Sequence, residues 1–323
     1  GADGNWTGQL RMGEKDEYMS RNEPMAAQEE YKNPWEKISD SPMLAQAEQL
    51  LQANDIEESA QNLEAADYIL QGMSVGPEAE AVNHQASMNF YTFASQVWKQ
   101  IGWQDHTKED AVDAETDAMA KSLTGEEIAL PFESEMLLKQ IEADADLAQM
   151  YADIRQQMVE QMYDQAEEGN ITSDQLQGMK VVQAGFRILG AMAGRRQYQL
   201  PVETESGMKV VNLTMQTGGV EARGITIRMA AGVHGMLQAQ IRMDEAGTCT
   251  GEILGGSSEA NTWLAGQTDA FRELLAGSEY ADAAVALGES RTAARGTNGG
   301  ADTQKLCRAA IFFVKAMAKL TDI

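Results

Sequence analysis

At Gly194 the spacing of apolar residues changes from about 3.6 to 2, and one type of secondary structure cannot carry both periods. Upstream, Leu176, Met179, Val182, Phe186, Leu189 and Ala193 step by three and four, as on the buried stripe of a helix. Downstream, Val211, Leu213 and Met215 alternate with Asn212 and Thr214, and Ile225, Ile227 and Met229 alternate with Thr226 and Arg228. Leu237, Ala239, Ile241 and Met243 do the same against Gln238, Gln240 and Arg242. Alternation of this kind marks half-buried antiparallel strands. The chain therefore reads as α+β overall. An acidic all-helical N-terminal module precedes a small α+β domain with a mainly antiparallel sheet and one or two helices.

Charge divides at nearly the same place. Residues 1–180 hold 36 of the 50 acidic and 11 of the 25 basic side chains, while residues 181–323 hold 14 of each. Opposite chemistry on either side of one point is the mark of separate modules, with the boundary near Arg195-Arg196. The reading along the chain is an irregular or disordered arm over 1–40, an acidic helical domain over 41–196 and an α+β domain over 197–290. A Gly-, Ala- and Thr-rich flexible linker over 291–300 then leads to an amphipathic helix over 301–323.

A formal net charge of -25 argues against binding nucleic acid or anionic membranes, since both attract basic proteins. No run of about 18 apolar residues is present to insert into a membrane. Cys249 and Cys307 are too few for a disulfide framework and lack metal-ligand spacing. No cofactor or metal is expected. The first residue is Gly rather than Met, which suggests a chain trimmed at its start and leaves the compartment open.

In the first module, Ser41-Pro42 reads as a helix start, with the hydroxyl as cap and proline in the first turn. A second helix fits Ile56 to Leu70. A third, Glu78 to Trp103, carries Phe90, Tyr91, Phe93, Val97, Trp98 and Ile101 as a core stripe. Asp110, Asp113 and Asp117 line one side of a helix over His106 to Lys121; three carboxylates at that spacing can gather a cation, but without a calcium-loop turn they read as a solvated face. Ser134 to Glu168 reads as one long helix, and Thr172 with Gln175 as a capping box opening the next. Beyond the strands, Asp244 to Gly247 is a hairpin connection and Ser257-Ser258 starts a helix running to Gly277. Ala283 to Leu287 is a last short strand. In the C-terminal helix, Leu306, Ala310, Phe313, Met317 and Leu320 make a stripe flanked by lysines and Arg308. A basic helix of this kind docks back on the acidic module or grips a partner.

Phosphate-loop, nucleophile-elbow and His-Glu-x-x-His motifs are all missing. Gly255-Gly256-Ser257-Ser258 is better explained as a turn and helix cap than as a phosphate cradle. His84, His106 and His234 are the imidazoles available for acid–base work, and none stands in a triad pattern.

The run ITIRMAAGVHGMLQAQIRMDEAGTCTGEILGGSSEANTWLAGQTDAFRELLAG, Ile225 to Gly277, resembles the C-terminal domain of flagellar hook-length control proteins. The shared pattern is a strand, a turn of the Leu-Gly type, two alternating hairpin strands and a helix rich in Glu, Leu and Arg. The turn here is His234-Gly235, followed by Met236-Leu237. Leu200 to Met215 is similar to a strand pair preceding that domain in some relatives. Where family members carry a long Pro-, Gln- or Ser-rich ruler arm, this chain has 6 Pro and a helical reading.

The resemblance implies a non-enzymatic interaction domain that contacts an export gate component and switches secretion from hook to filament substrates. Such a protein acts in the cytoplasm or passes through the flagellar apparatus. The motif positions are Gly232, His234, Gly235, Leu237 and Gly251, with no catalytic residue among them. Trp263 is the aromatic partner contact if exposed, and core if buried with Leu264. A second reading is an acidic, Met-rich adapter or chaperone-like protein whose helices over 134–168 and 175–193 expose a methionine groove. A third is a hydrolase, which needs a pocket pairing a histidine with an oriented carboxylate.

Overall fold

Two helix ends in the N-terminal half are closed by left-handed residues other than glycine, Asp55 and Asp144, and these closures fix how the helices are cut. The computed structural model describes residues 38–73, 88–101, 134–167, 169, 171–204, 207–217, 222–244, 247–289 and 302–321. Helix α1 (Leu44–Ala53) ends at Asp55, φ 55°. There the Ile56 N–H reaches back to Leu51 O and the Asp55 N–H to Gln52 O, the double closure of a Schellman motif. The helix expected from Ile56 accordingly starts later, as α2 (Ala60–Met73), with Ser59 Oγ accepting the Asn62 N–H at 3.2 Å. Ser41 does not cap α1 either. Its hydroxyl donates to Asp67 of α2, and the helix begins after a further turn, at Leu44.

Of the stretch expected to run from Glu78 to Trp103, the described part is α3 (Phe90–Ile101), with Asn89 Oδ1 accepting the Thr92 N–H. The single helix expected over Ser134 to Glu168 is two: α4 (Ser134–Glu142) and α5 (Leu147–Glu167). Asp144, φ 52°, closes α4 by the same pair of backbone bonds, to Ile141 O and Gln140 O. Asp146 Oδ1 then accepts the N–H groups of Ala148 and Gln149 and opens α5. The apolar period runs through this break, which is why it reads as one helix. The capping box at Thr172 and Gln175 is formed in both directions and opens α6 (Ser173–Gly194).

The sheet has six strands in sequence order: β1 (Gln197–Thr204), β2 (Gly207–Thr217), β3 (Ala222–Ala230), β4 (Met236–Met243), β5 (Cys249–Gly255) and β6 (Ala284–Leu287). The pairs from β1 to β5 are antiparallel, and β6 joins β5 in parallel after a crossover through α7 (Ser258–Gly266) and α8 (Thr268–Leu275). The helix expected from Ser257 to Gly277 is thus interrupted, at Gln267. One row of paired residues, Tyr198, Leu213, Ile227, Ala239, Ile253 and Leu287, crosses all six strands and is buried throughout.

That face is covered by α9 (Thr303–Leu320), which packs on β1, β3, β4, α4 and α8. Leu306, Ala310, Phe313, Met317 and Leu320 are all buried. The docked position therefore lies mainly on the sheet, with Lys315 Nζ reaching Glu135 Oε1 of α4 at 2.7 Å as a half-exposed pair.

On the opposite face, β1 and β2 are covered by α2 and α6. Asn212, which alternates outward in sequence, is buried there with Gln199. Gln199 Nε2 donates to Ile69 O at 2.9 Å and Asn212 Nδ2 to Gly72 O at 3.1 Å. Gly72 O belongs to the last turn of α2, whose carbonyls lack partners within the helix, so a sheet side chain satisfies it, while Ile69 O gains a further donor from the sheet. The Tyr91 hydroxyl of α3 donates to Gln199 O. Elements on both sides of Arg195-Arg196 contribute to one continuous cluster of buried side chains, from Ile38 to Leu320. At that junction Arg195 pairs with Asp55 at 3.1 Å and Arg196 with Asp144 at 3.0 Å, so the two aspartates that close α1 and α4 meet the start of β1.

Candidate functional site

The turn between β3 and β4 is built by two glycines at positive φ, Gly232 at 55° and Gly235 at 72°, a conformation that any side chain would strain. Between them Val233 and His234 complete a single 3-10 turn. The Ala231 N–H donates to Gly235 O at 2.7 Å, the His234 N–H to Ala231 O at 3.1 Å and the Gly235 N–H to Gly232 O at 3.0 Å. The loop is therefore closed on itself by three backbone bonds.

The His234 ring lies flat on Trp263 of α7, with centroids 4.0 Å apart and planes 12° from parallel. Trp263 is neither the exposed anchor nor the buried core residue the sequence left open. It is half-buried, one face against the core and one against the imidazole. Val233 next to this stack is 96% exposed, far beyond any other large apolar side chain described except Tyr163. The result is an apolar knob on a turn closed by its own backbone bonds.

The remaining motif positions serve this turn or the core. Leu237 is fully buried at the start of β4. Gly251 does not belong to a turn: it lies in β5 facing α9, where an added Cβ would stand 2.9 Å from Phe313 Cε1. Only glycine lets that ring approach the strand so closely. The structure thus brings Gly232, His234, Gly235 and Trp263 together, while Leu237 and Gly251 support the sheet beneath them.

Beside the knob, the outward face of β3, β4 and β5 bears Thr226, Arg228, Gln238, Gln240, Arg242 and Thr250, exposed or half-exposed. Arg228 Nε donates to Gln238 Oε1 at 3.0 Å across the strands, and Gln216 Nε2 to Thr226 Oγ1 at 3.0 Å. Arg228 and Arg242 share this face with Glu252, which stands opposite Gln240.

Other candidates fare differently. His84, His106 and the aspartates 110, 113 and 117 lie outside the described residues, and no group of three or more His, Cys, Asp or Glu gathers among those described. Both cysteines are buried, and burial raises their thiols, Cys249 to about 11 and Cys307 to about 12, so neither is a ready nucleophile. Met158, Met179 and Met192 are buried in the core, Met150 and Met162 of α5 are half-buried, and Met136 of α4 is exposed. Among the described residues no helix is long and apolar enough to cross a membrane. Comparison with protein-family models, curated proteins and solved structures finds no match to this chain.

Proposed function

We propose that the chain is a non-enzymatic binding protein that engages a protein partner through the β3–β4 turn and Trp263. The observation that carries this reading is the preorganised knob. Val233 stands almost fully in solvent on a turn that two glycines permit and that three backbone bonds and a ring stack close. An apolar side chain held in place costs little further order on binding, so its burial in a partner pocket is converted efficiently into affinity.

The finer reading is flagellar: the partner is an export gate component and the chain acts in substrate switching, in the cytoplasm or through the flagellar apparatus. What supports it is the order of elements after Ile225, in which a strand, the His234-Gly235 turn, a hairpin and helices follow as the hook-length-control resemblance implies.

A photoreactive benzoylphenylalanine replacing Val233 in the full chain, expressed in flagellated cells, tests both levels. Crosslinking to an export gate component at 233, and not from the same group at Thr250, is the expected result. Crosslinking to a protein outside the flagellum overturns the finer reading, and no crosslink at 233 above that at 250 overturns the coarser one.

A further inference from the structure

The sheet has two edges, and they are protected unequally. At β1, Pro201 interrupts the row of donors and α4 and α6 pack against the strand. At β6 the sequence is Ala-Val-Ala-Leu, with neither proline nor charge to discourage another strand. The Gly288 N–H donates to Ile253 O at 2.9 Å. In a parallel pair, hydrogen bonding alternates along the strand, so Ala284, Ala286 and Gly288 face β5. Val285 and Leu287 then direct their N–H and C=O groups to the free edge, where no described strand meets them.

Alongside this edge runs a groove of about 340 Å³ between α8 and β6, walled by Thr268, Phe271, Arg272 and Leu275 from the helix and by Ala283 and Val285 from the strand side. Its volume is that of a small binding site. Its lining side chains are apolar apart from Thr268 and Arg272, while most of the surface it presents is polar. The guanidinium of Arg272 is 73% exposed and meets Asp269, itself 94% exposed, at 3.4 Å, a contact too solvated to hold it.

We propose that an extended segment of another protein adds to β6 as a seventh strand. Its alternate side chains enter the groove against Leu275 and Val285, and one of them carries a carboxylate that pairs with Arg272. Main-chain bonds to Val285 and Leu287 supply the register, and the groove supplies selectivity, which is how strand addition works on other sheet edges. A helix would leave those backbone groups unmet. A second copy of this chain would bring another β6 with no carboxylate of its own, although Asp282 and Glu289 flank it, and such pairing would show as dimerisation of the chain alone. The site is separate from the Val233 knob, so either can fail alone.

The test is selection of displayed random heptapeptides on the full chain, followed by amide hydrogen exchange with the enriched peptides. The expected peptides alternate apolar residues and carry Asp or Glu, and at saturation they slow exchange at Val285 and Leu287 at least tenfold. Val285→Pro deletes one edge-facing donor while leaving the β5 pairing of Ala284 and Ala286, and binding falls at least tenfold. Should that variant fail to fold, Arg272→Glu on the surface is expected to weaken the acidic peptides tenfold and spare their Asn or Gln counterparts. Val233→Asp leaves peptide binding unchanged. Enriched peptides that protect only other segments, protection that coincides with dimerisation of the chain alone, or binding indifferent to both variants overturns the proposal.

Discussion

Replacing Gly185 with alanine sets two known effects against each other. Gly185 lies in the interior of α6. Alanine is favoured over glycine in a helix by about 1 kcal/mol, so on local grounds Gly185→Ala stabilises. The new Cβ, however, would stand 1.9, 2.4 and 2.6 Å from Cε2, Cζ and Cδ2 of Phe90. Carbon atoms in contact sit about 3.5–4.0 Å apart, so the ring must retreat by roughly 1.5 Å. Phe90 is fully buried, edge-on to Phe186 at 5.2 Å and to Tyr91 at 5.6 Å, and has nowhere to go without moving both. Overpacking of this severity costs about 1–3 kcal/mol or more, which exceeds the helix gain.

The expected result in urea is a lower midpoint at unchanged slope, a net loss of about 1–2 kcal/mol. In a Phe90→Ala background, itself about 3–5 kcal/mol less stable, the same glycine change should become neutral or stabilising, since the methyl then fills vacated space. A midpoint that rises on Gly185→Ala in the native background would refute the placing of α3 against α6.

Other expectations follow from single contacts. Gly251→Ala puts a methyl 2.9 Å from Phe313 and should destabilise by about 1–3 kcal/mol, read as a lower melting temperature. Asp146→Ala removes the acceptor that opens α5 and should cost about 1 kcal/mol in urea unfolding. In alkali the buried thiols respond first, since their ordinary value, 9.0, lies below the tyrosine value of 10.0: Cys249 and Cys307 are raised to about 11 and about 12, and burial also raises Tyr91, Tyr151, Tyr198 and Tyr280. Because only the unfolded chain loses these protons between pH 9 and 11, stability is complete below about pH 9 and falls as pH rises through that window. Denaturant titrations at pH 8 and pH 10.5 should show the drop, and a Cys249→Ala, Cys307→Ala double variant should show less of it.

The strands were the most legible part of the chain because one buried face imposes a strict period of 2, and Leu213, Ile227, Ala239 and Ile253 fall in a single row as their alternation implies. The breaks were not legible. Asp55 and Asp144 close helices in the left-handed region, where glycine is the usual signal, and the apolar stripe of 134–168 continues across the gap. Asn212 reads as solvent-facing by its alternation and is buried with Gln199, because what they meet is the carbonyl end of a helix more than 120 residues earlier in sequence. At the site, the glycines of the turn carried a readable signal. The stacking of His234 on Trp263 did not, since it depends on how α7 returns to the sheet.

Whether this chain binds a partner through the turn bearing Val233 is read by titration calorimetry of the full chain against a purified export gate component. Val233→Asp changes a side chain that is 96% exposed and touches little of the fold, so its melting temperature should match the parent. The parent should bind measurably and the variant at least tenfold more weakly. Equal affinity of the two proteins would contradict it.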